Sequence, residues 1–324
     1  MNPEGFLSDV LAGPEVLRNV VAAYRAGDLL AGVSIPARVV FVGMGSSRFA
    51  ALDCVSALRT RGIDAHVEYA STGRPQAPSS NTLCVAVSAG GGSRETLAAV
   101  ERHRGIGPTV AVTNRAESPL AAACDVVLPL HAGDEVGGVA SRTFRATVAV
   151  LQLLAARLGG NSIEPVLERI AAAADTLDEV LEAREAWLPG VVEAVGGGPV
   201  WIAAPAERLG SAEQSALMFR EGPRIGAHAC ETGDWSHVDV YLSKQPGYRL
   251  LLLGGSAWED ELLGWMRERA GVLIAVGSPA NGAAAHVSLH DATETATLSL
   301  VETAVAELVA WSLWRDGSVP ATHR

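Results

Sequence analysis

The stretch that decides the fold is Arg38 to Gly62, RVVFVGMGSSRFAALDCVSALRTRG. Arg38 to Val42 is a short apolar run closed by Gly43-Met44-Gly45, and Ser47 to Arg61 then has helical spacing until Gly62 stops it. This is strand, turn, helix. Working outward, further strands are predicted at His66–Tyr69, Leu83–Val87, Thr109–Thr113 and Asp125–Leu128. One helix is predicted between Ser93 and Arg104 and another from about Ala140 to Leu158. Strands alternating with helices imply a parallel sheet covered on both faces.

Gly159-Gly160-Asn161-Ser162 breaks this pattern, and the Ala- and Glu-rich, amphipathic stretch from Ile163 to Trp187 reads as a connecting helix. After Gly196-Gly197-Gly198 the order resumes. Strands are predicted at Pro199–Ala203, Tyr248–Leu253 and Val272–Val276, with helices at Gly210–Glu221, Glu259–Arg269 and Glu294–Trp314. The two halves read as one small α/β unit used twice, on element order rather than residue identity.

The chain has 324 residues, which favours two domains, and a net charge of −11. With no basic run, that balance argues against a nucleic-acid partner. Charged residues cut every long apolar stretch short of a membrane span, so no membrane partner is expected. The acids in Met1 to Asp9 do not suit a signal peptide, and Cys54, Cys84, Cys124 and Cys230 form no C-x-x-C pair. The expected address is cytoplasmic, with reduced cysteines.

In doubly wound sheets ligands bind beyond the carboxyl ends of strands, where free N–H groups of helix N-termini favour anions. Gly43-Met44-Gly45-Ser46-Ser47 occupies such a turn, and Ser88-Ala89-Gly90-Gly91-Gly92-Ser93 follows the third strand in the same way. Two Ser- and Gly-rich turns suit a phosphate cradle, with hydroxyls and N–H groups as donors. Two alternatives stand beside it. Both segments can be plain tight turns, with Ser93 as an N-cap for the helix holding Glu95 and Thr96. A dinucleotide site is the other, with Glu68 as the ribose acid, although Arg48 occupies its third glycine position.

The second half gathers Glu221, His228, Cys230, Glu231, Asp234 and His237. Aldose–ketose interconversion needs a base to move a proton between adjacent carbons and an acid–base group to open the sugar ring; a carboxylate and an imidazole suit these tasks. Glu221 ends a helical stretch before Gly222-Pro223, a place from which it can project into a cleft or remain a solvated helix-end acid. His228, Cys230 and His237 also offer zinc-type ligands, but not at the spacing of a standard zinc motif. Lys244, the only lysine, reads as a surface residue.

These motifs resemble the SIS (sugar isomerase) domain family, in particular the isomerase half of glucosamine-6-phosphate synthase. Gly43 to Ser47, Val67 to Ser71, Ser88 to Thr96 and Glu135 to Ser141 are similar in order and spacing to its first SIS domain. Gln214 to Glu221 and Glu231 to His237 are similar to its second. The resemblance implies two tandem SIS-type, doubly wound, flavodoxin-like parallel-sheet units. These are expected at 1–160 and 191–324, with 161–190 as connecting helix. It places Ser46, Ser47, Ser88, Gly90 and Ser93 at the phosphate, Ser141 on a sugar-contacting loop, Glu221 as the enolisation base and His237 as the ring-opening histidine.

It further implies a homodimer with a site shared between subunits, a sugar-phosphate substrate and no cofactor or metal. The chain departs from the pattern in several places. Ala89 and Gly90 replace a glutamine and a serine, one glycine is added within Glu135 to Val139, and Val238-Asp239 stands where the family has Gly-Pro. The tail ends Thr322-His323-Arg324 without the family's lysine, and Met1-Asn2-Pro3 leads straight into the isomerase portion. The implied activity is isomerisation of a hexose 6-phosphate, or isomerisation with addition or removal of an amine, using a separate ammonia source where one is needed. A phosphosugar sensor without turnover is the alternative.

Overall fold

A computed structural model describes residues 1–289 and 292–317, so the tail at Thr322-His323-Arg324 lies outside the described residues. The chain opens with two helices that the sequence reading leaves unassigned, α1 (Pro3–Leu11) and α2 (Gly13–Ala26). Asn2 caps α1 by accepting from the Gly5 N–H at 2.6 Å, and Pro3 follows at the first helical position, where its missing N–H costs nothing.

The first sheet holds β1 (Arg38–Gly43), β2 (Asp64–Tyr69), β3 (Thr82–Val87), β4 (Thr109–Thr113) and β5 (Val126–Pro129). All are parallel, in the order β2-β1-β3-β4-β5. The helices between them are α3 (Ser46–Arg59), α4 (Arg94–His103) and a short α5 (Pro119–Ala123), with α6 (Arg142–Leu158) after β5. Strands β3 and β4 are buried along their whole length, the burial a sheet covered on both faces requires. Val40, Val42, Cys84, Ala86 and Ala111 form one core face with Val100 of α4 and Leu120 of α5.

The predicted connecting helix over 163–187 is two helices, α7 (Glu164–Glu182) and α8 (Arg184–Val195), with Ala183 between them. The second sheet then forms from β6 (Val200–Ala204), β7 (Ala227–Glu231), β8 (Arg249–Leu253), β9 (Val272–Val276) and β10 (Ala285–Val287). Its order, β10-β9-β8-β6-β7, is that of the first sheet read from the other edge. Its helices are α9 (Leu209–Glu221), a short α10 (Thr232–Trp235), α11 (Glu259–Glu268), α12 (Thr295–Val301) and α13 (Thr303–Arg315). The repeat inferred from element order is therefore a repeat of topology, strand for strand.

By compactness the chain divides into two units that interleave instead of following one another as 1–160 and 191–324. The leading unit is Glu15–Asp134 with Arg142–Ala172. The trailing unit is Met1–Pro14, Glu135–Ser141 and the chain from Ala173. The segment bearing Ser141 thus belongs with the second sheet. Its cause is local: the Gly137 N–H donates to the buried Asp9 of α1 at 2.7 Å, and Asn2 N–H donates to the Gly137 carbonyl at 3.2 Å. A side chain at Gly137 would place its Cβ 2.4 Å from the Phe6 nitrogen, so only glycine lets these backbones meet. Gly137 thus has a packing reason.

Thr295–Arg315 has the length and apolarity of a membrane span, and 83% of its most apolar window is buried within the fold, where α13 packs against α1 and α9. Between α12 and α13 Glu302 turns inward to the guanidinium of Arg208, which also donates to the Gly254 carbonyl; both charged side chains are at most 2% exposed. Removing one partner of such a pair strands the other charge in the core. Glu302→Ala is expected to lower unfolding stability by about 3–5 kcal/mol in urea titration, and Arg208→Met combined with Glu302→Leu by clearly less. Equal losses would show that the charges are not what holds the helices there.

Candidate functional site

In the first sheet β1 has β2 on one side and β3 on the other, so the connections leaving β1 and β3 depart in opposite senses. This is the topological switch point, where ligands bind in open α/β sheets. Both predicted turns lie on it. Gly45 turns the chain from β1 into α3 with φ +52° and caps that helix without a side-chain hydrogen bond. Ser46 and Ser47 are half-buried in the first turn of this 14-residue helix, at its positive end.

The other turn is fixed by its own backbone. Ser88 N–H donates to the Val112 carbonyl at 3.1 Å, its carbonyl accepts from Gly91 N–H at 2.9 Å, and Ala89 accepts from both Asn114 N–H and the Thr113 hydroxyl. Gly91 has φ +64°, and a Cβ there would sit 2.1 Å from Ser118 Oγ. Ser88 is buried, and Gly90 is exposed with open space about it. Ser93 performs the predicted N-cap. Its hydroxyl accepts from Thr96 N–H at 3.2 Å and donates to Glu95 at 3.1 Å. A phosphate that takes the Ser93 hydroxyl must displace the Glu95 carboxylate.

The dinucleotide alternative finds its ribose acid already engaged. Glu68 accepts from Gln76 N–H at 2.7 Å and lies 3.5 Å from His66 Nε2, while the Arg48 guanidinium stacks 4.4 Å above the Tyr69 ring.

The trailing unit repeats the switch point between β6 and β8, but its own side chains fill it. After β8, Glu259 accepts from the N–H groups of both Gly255 and Ser256. After β6, Arg208 is consumed by Glu302 and Gly254. Of the two crevices, the first is the one whose turns carry Ser46, Ser47 and Ser88.

Glu221 is the last residue of α9, with Gly222 closing the helix through an N–H bond to the Met218 carbonyl at 3.0 Å. Gln214, Met218 and Glu221 stand at i, i+4 and i+7, one stripe of the helix. At the base of that stripe Gln214 Nε2 donates to the Ala140 carbonyl at 2.7 Å, and the next residue, Ser141, is fully buried with its N–H donated to Glu135 at 3.0 Å. The helix that carries Glu221 therefore also holds the Ser141 loop, a link absent from the sequence reading because Gln214 signals nothing by itself. Burial raises the Glu221 pKa, and Arg220 and Arg224 oppose the shift without cancelling it. A carboxyl in that state is a better proton acceptor than an ordinary one.

His237 is exposed, between α10 and a 3-10 helix at Asp239–Lys244. The rest of the polar cluster is dispersed. Glu231 caps α10 through Asp234 N–H at 2.8 Å, and the exposed His228 ring stacks on Trp201 at 5.3 Å. Cys230 is buried with its thiol pushed up by that burial. Among the described residues no three His, Cys, Asp or Glu side chains gather as a metal-binding group. Lys244 is exposed.

Comparison with known proteins turns on this first sheet: residues 34–157 match the model of the SIS domain. The chain carries a SIS domain. In sequence it is similar to the glutamine–fructose-6-phosphate aminotransferase [isomerizing] of Aeropyrum pernix, 32% identical over 247 residues, which are 72% of this chain and 39% of that protein. The namesake from Pyrobaculum aerophilum is 27% identical over 75% of this chain and 42% of its own length. The chain thus spans about two fifths of these relatives.

In fold this SIS protein is similar to the C-terminal domain of glucosamine-fructose-6-phosphate aminotransferase from Francisella tularensis (TM-score 0.84, 17% identity, 98% of this chain and 97% of that one). It is also similar to glucosamine-6-phosphate deaminase from Thermotoga maritima (TM-score 0.74, 19% identity, 99% and 98%). The two-sheet SIS-type architecture expected from sequence is the observed one.

Because burial raises the Glu221 pKa, the folded state holds a proton there that the unfolded chain releases between the ordinary carboxyl pKa of 4.5 and the raised folded value. Stability from this group is complete below the lower value and is lost as pH rises through the upper one. Glu221→Gln, which removes the ionisation, is expected to melt above the wild type at pH 7 and with it at pH 4. The same offset at both pH values would show that Glu221 ionisation carries no cost.

Proposed function

We propose that this SIS protein is a phosphosugar isomerase, or an amino-sugar-phosphate isomerase or deaminase, acting on a hexose 6-phosphate through an enediol-type proton transfer. The observation that carries the reading is the first-sheet switch point, where two Gly- and Ser-rich turns end neighbouring strands. Ser46, Ser47, Ser88, Gly90 and Ser93 hold the phosphate, through hydroxyl and N–H donors and the positive end of α3. Ser141 contacts the sugar. Glu221 takes the proton from one carbon of the open-chain sugar and returns it to its neighbour, which is the task its raised pKa suits. His237 serves ring opening, exchanging a proton with the ring oxygen.

This assignment includes a homodimer in which the histidine of one subunit completes the site of the other, and a cytoplasmic setting, to which four free cysteines are suited. Isomerisation moves only a carbon-bound proton and a ring proton, and amination or deamination exchanges ammonia for water at the carbonyl carbon, so neither reaction calls for a redox cofactor. In the aminating direction ammonia comes from a separate glutaminase partner; in the other direction ammonia is released.

Aldose–ketose exchange and ammonia release across hexose 6-phosphates are expected with the wild type and lost by at least a hundredfold in Glu221→Gln, the scale of removing a general base. Over acid pH, activity is expected to fall with a midpoint above that of an ordinary carboxyl group. Binding of hexose 6-phosphate without turnover in either protein would support the sensor reading instead.

A further inference from the structure

His237 is exposed, yet the chain on both sides of it is anchored. On the amino side His237 N–H donates to the Asp234 carbonyl at 2.9 Å, and Asp234 N–H is itself held by the Glu231 carboxylate at 2.8 Å. On the carboxyl side, two residues away, Asp239 Oδ1 accepts from the indole N–H of Trp201 at 3.2 Å. Trp201 is a rigid donor. It lies in β6, is 7% exposed, and is sandwiched between Tyr248 at 4.4 Å and His228 at 5.3 Å. Tyr248 is fixed in turn by Trp235, whose indole N–H donates to its hydroxyl at 2.8 Å.

Beyond Asp239 the anchoring continues. Val240 is buried in the same aromatic core, its carbonyl accepts from the Arg269 guanidinium, and that guanidinium also donates to Ser243 Oγ at 2.7 Å. Val238 and Tyr241 remain 58% and 67% exposed, so this short strap is not held by burial of its full length. The side-chain bond nearest to His237 on its carboxyl side is the one from Trp201 to Asp239.

We propose that Asp239, held by the Trp201 indole, is a positioning residue that sets where the His237 imidazole stands. The catalytic consequence rests on the reading of His237 as the ring-opening group; the positional consequence does not. A misplaced acid–base group lowers the rate of the step it serves with little effect on phosphate binding.

Three variants separate the elements. Trp201→Phe keeps the stack and removes the donor, Asp239→Ala removes the acceptor, and Asp239→Asn restores one. The expected kcat falls on the order of tenfold in Trp201→Phe and Asp239→Ala, the effect of one lost charge-assisted hydrogen bond, with KM within about twofold of wild type. Asp239→Asn is expected to recover most of the rate.

In NMR spectra the His237 imidazole resonance, assigned by its loss in His237→Asn, is expected as one sharp signal in wild type and Asp239→Asn. In Trp201→Phe and Asp239→Ala it is expected to shift or broaden. An unchanged resonance in those two variants overturns the proposal whatever the enzyme does. An altered resonance, with full turnover in His237→Asn, leaves the positioning standing and removes the catalytic role of His237 instead.

Discussion

The rest of this structure depends on one constraint of parallel sheets. A strand order of 2-1-3-4-5 forces the chain to leave two neighbouring strands in opposite senses, and the crevice between those exits cannot be covered by either connection. The sequence must furnish what lies there. In the first sheet it furnishes glycine turns, helix N–H groups and hydroxyls at Ser46, Ser47 and Ser88. In the second it furnishes carboxylates of its own, Glu259 across the turn after β8 and Glu302 against Arg208. One topology used twice thus carries different turns: glycines and serines at the first switch point, and at the second a carboxylate bonded to backbone N–H groups and an arginine bonded to Glu302.

Glu221 stands at the last position of α9, where burial raises its pKa. Such a residue is a liability to stability unless the helix bearing it is fixed, and α9 is fixed by Arg208 at its start and by the packing of Trp314 near Gly222 at its end. Asp9 and Gln214 then hold the loop that contains Ser141 from two directions. A weakly solvated acid costs stability when it ionises, and a rigid support limits how far the chain can relax to relieve it.

Most strands of both sheets, and helices such as α3, α6 and α9, are legible in the sequence because their apolar periods are clear, and the two Gly- and Ser-rich turns because they punctuate those periods; α1 and α2 are not. Strand β7 was not, since His228 and Cys230 gave it the look of a polar cluster, although Ala227 to Glu231 pairs in register with Val200 to Ala204. The break at Ala183 between α7 and α8 has no sequence signature, alanine being at home in any helix. Residues 135–141 join the second unit for a reason no local pattern carries: an aspartate and a glycine 128 positions apart share a hydrogen bond. The roles of Glu221 and His237 were suggested by resemblance, and the structure adds the chemistry of their surroundings, a raised carboxyl pKa and an anchored strap.

The account's central claim is that the first-sheet switch point holds the phosphate of a hexose. The most direct measurement is a crystal structure of the protein grown with a hexose 6-phosphate. The account predicts phosphate density beyond the carboxyl ends of β1 and β3, within hydrogen-bond distance of Ser46, Ser47 and Ser88. Phosphate density beyond β6 and β8 instead, or a sugar bound with its phosphate away from those serines, would contradict it.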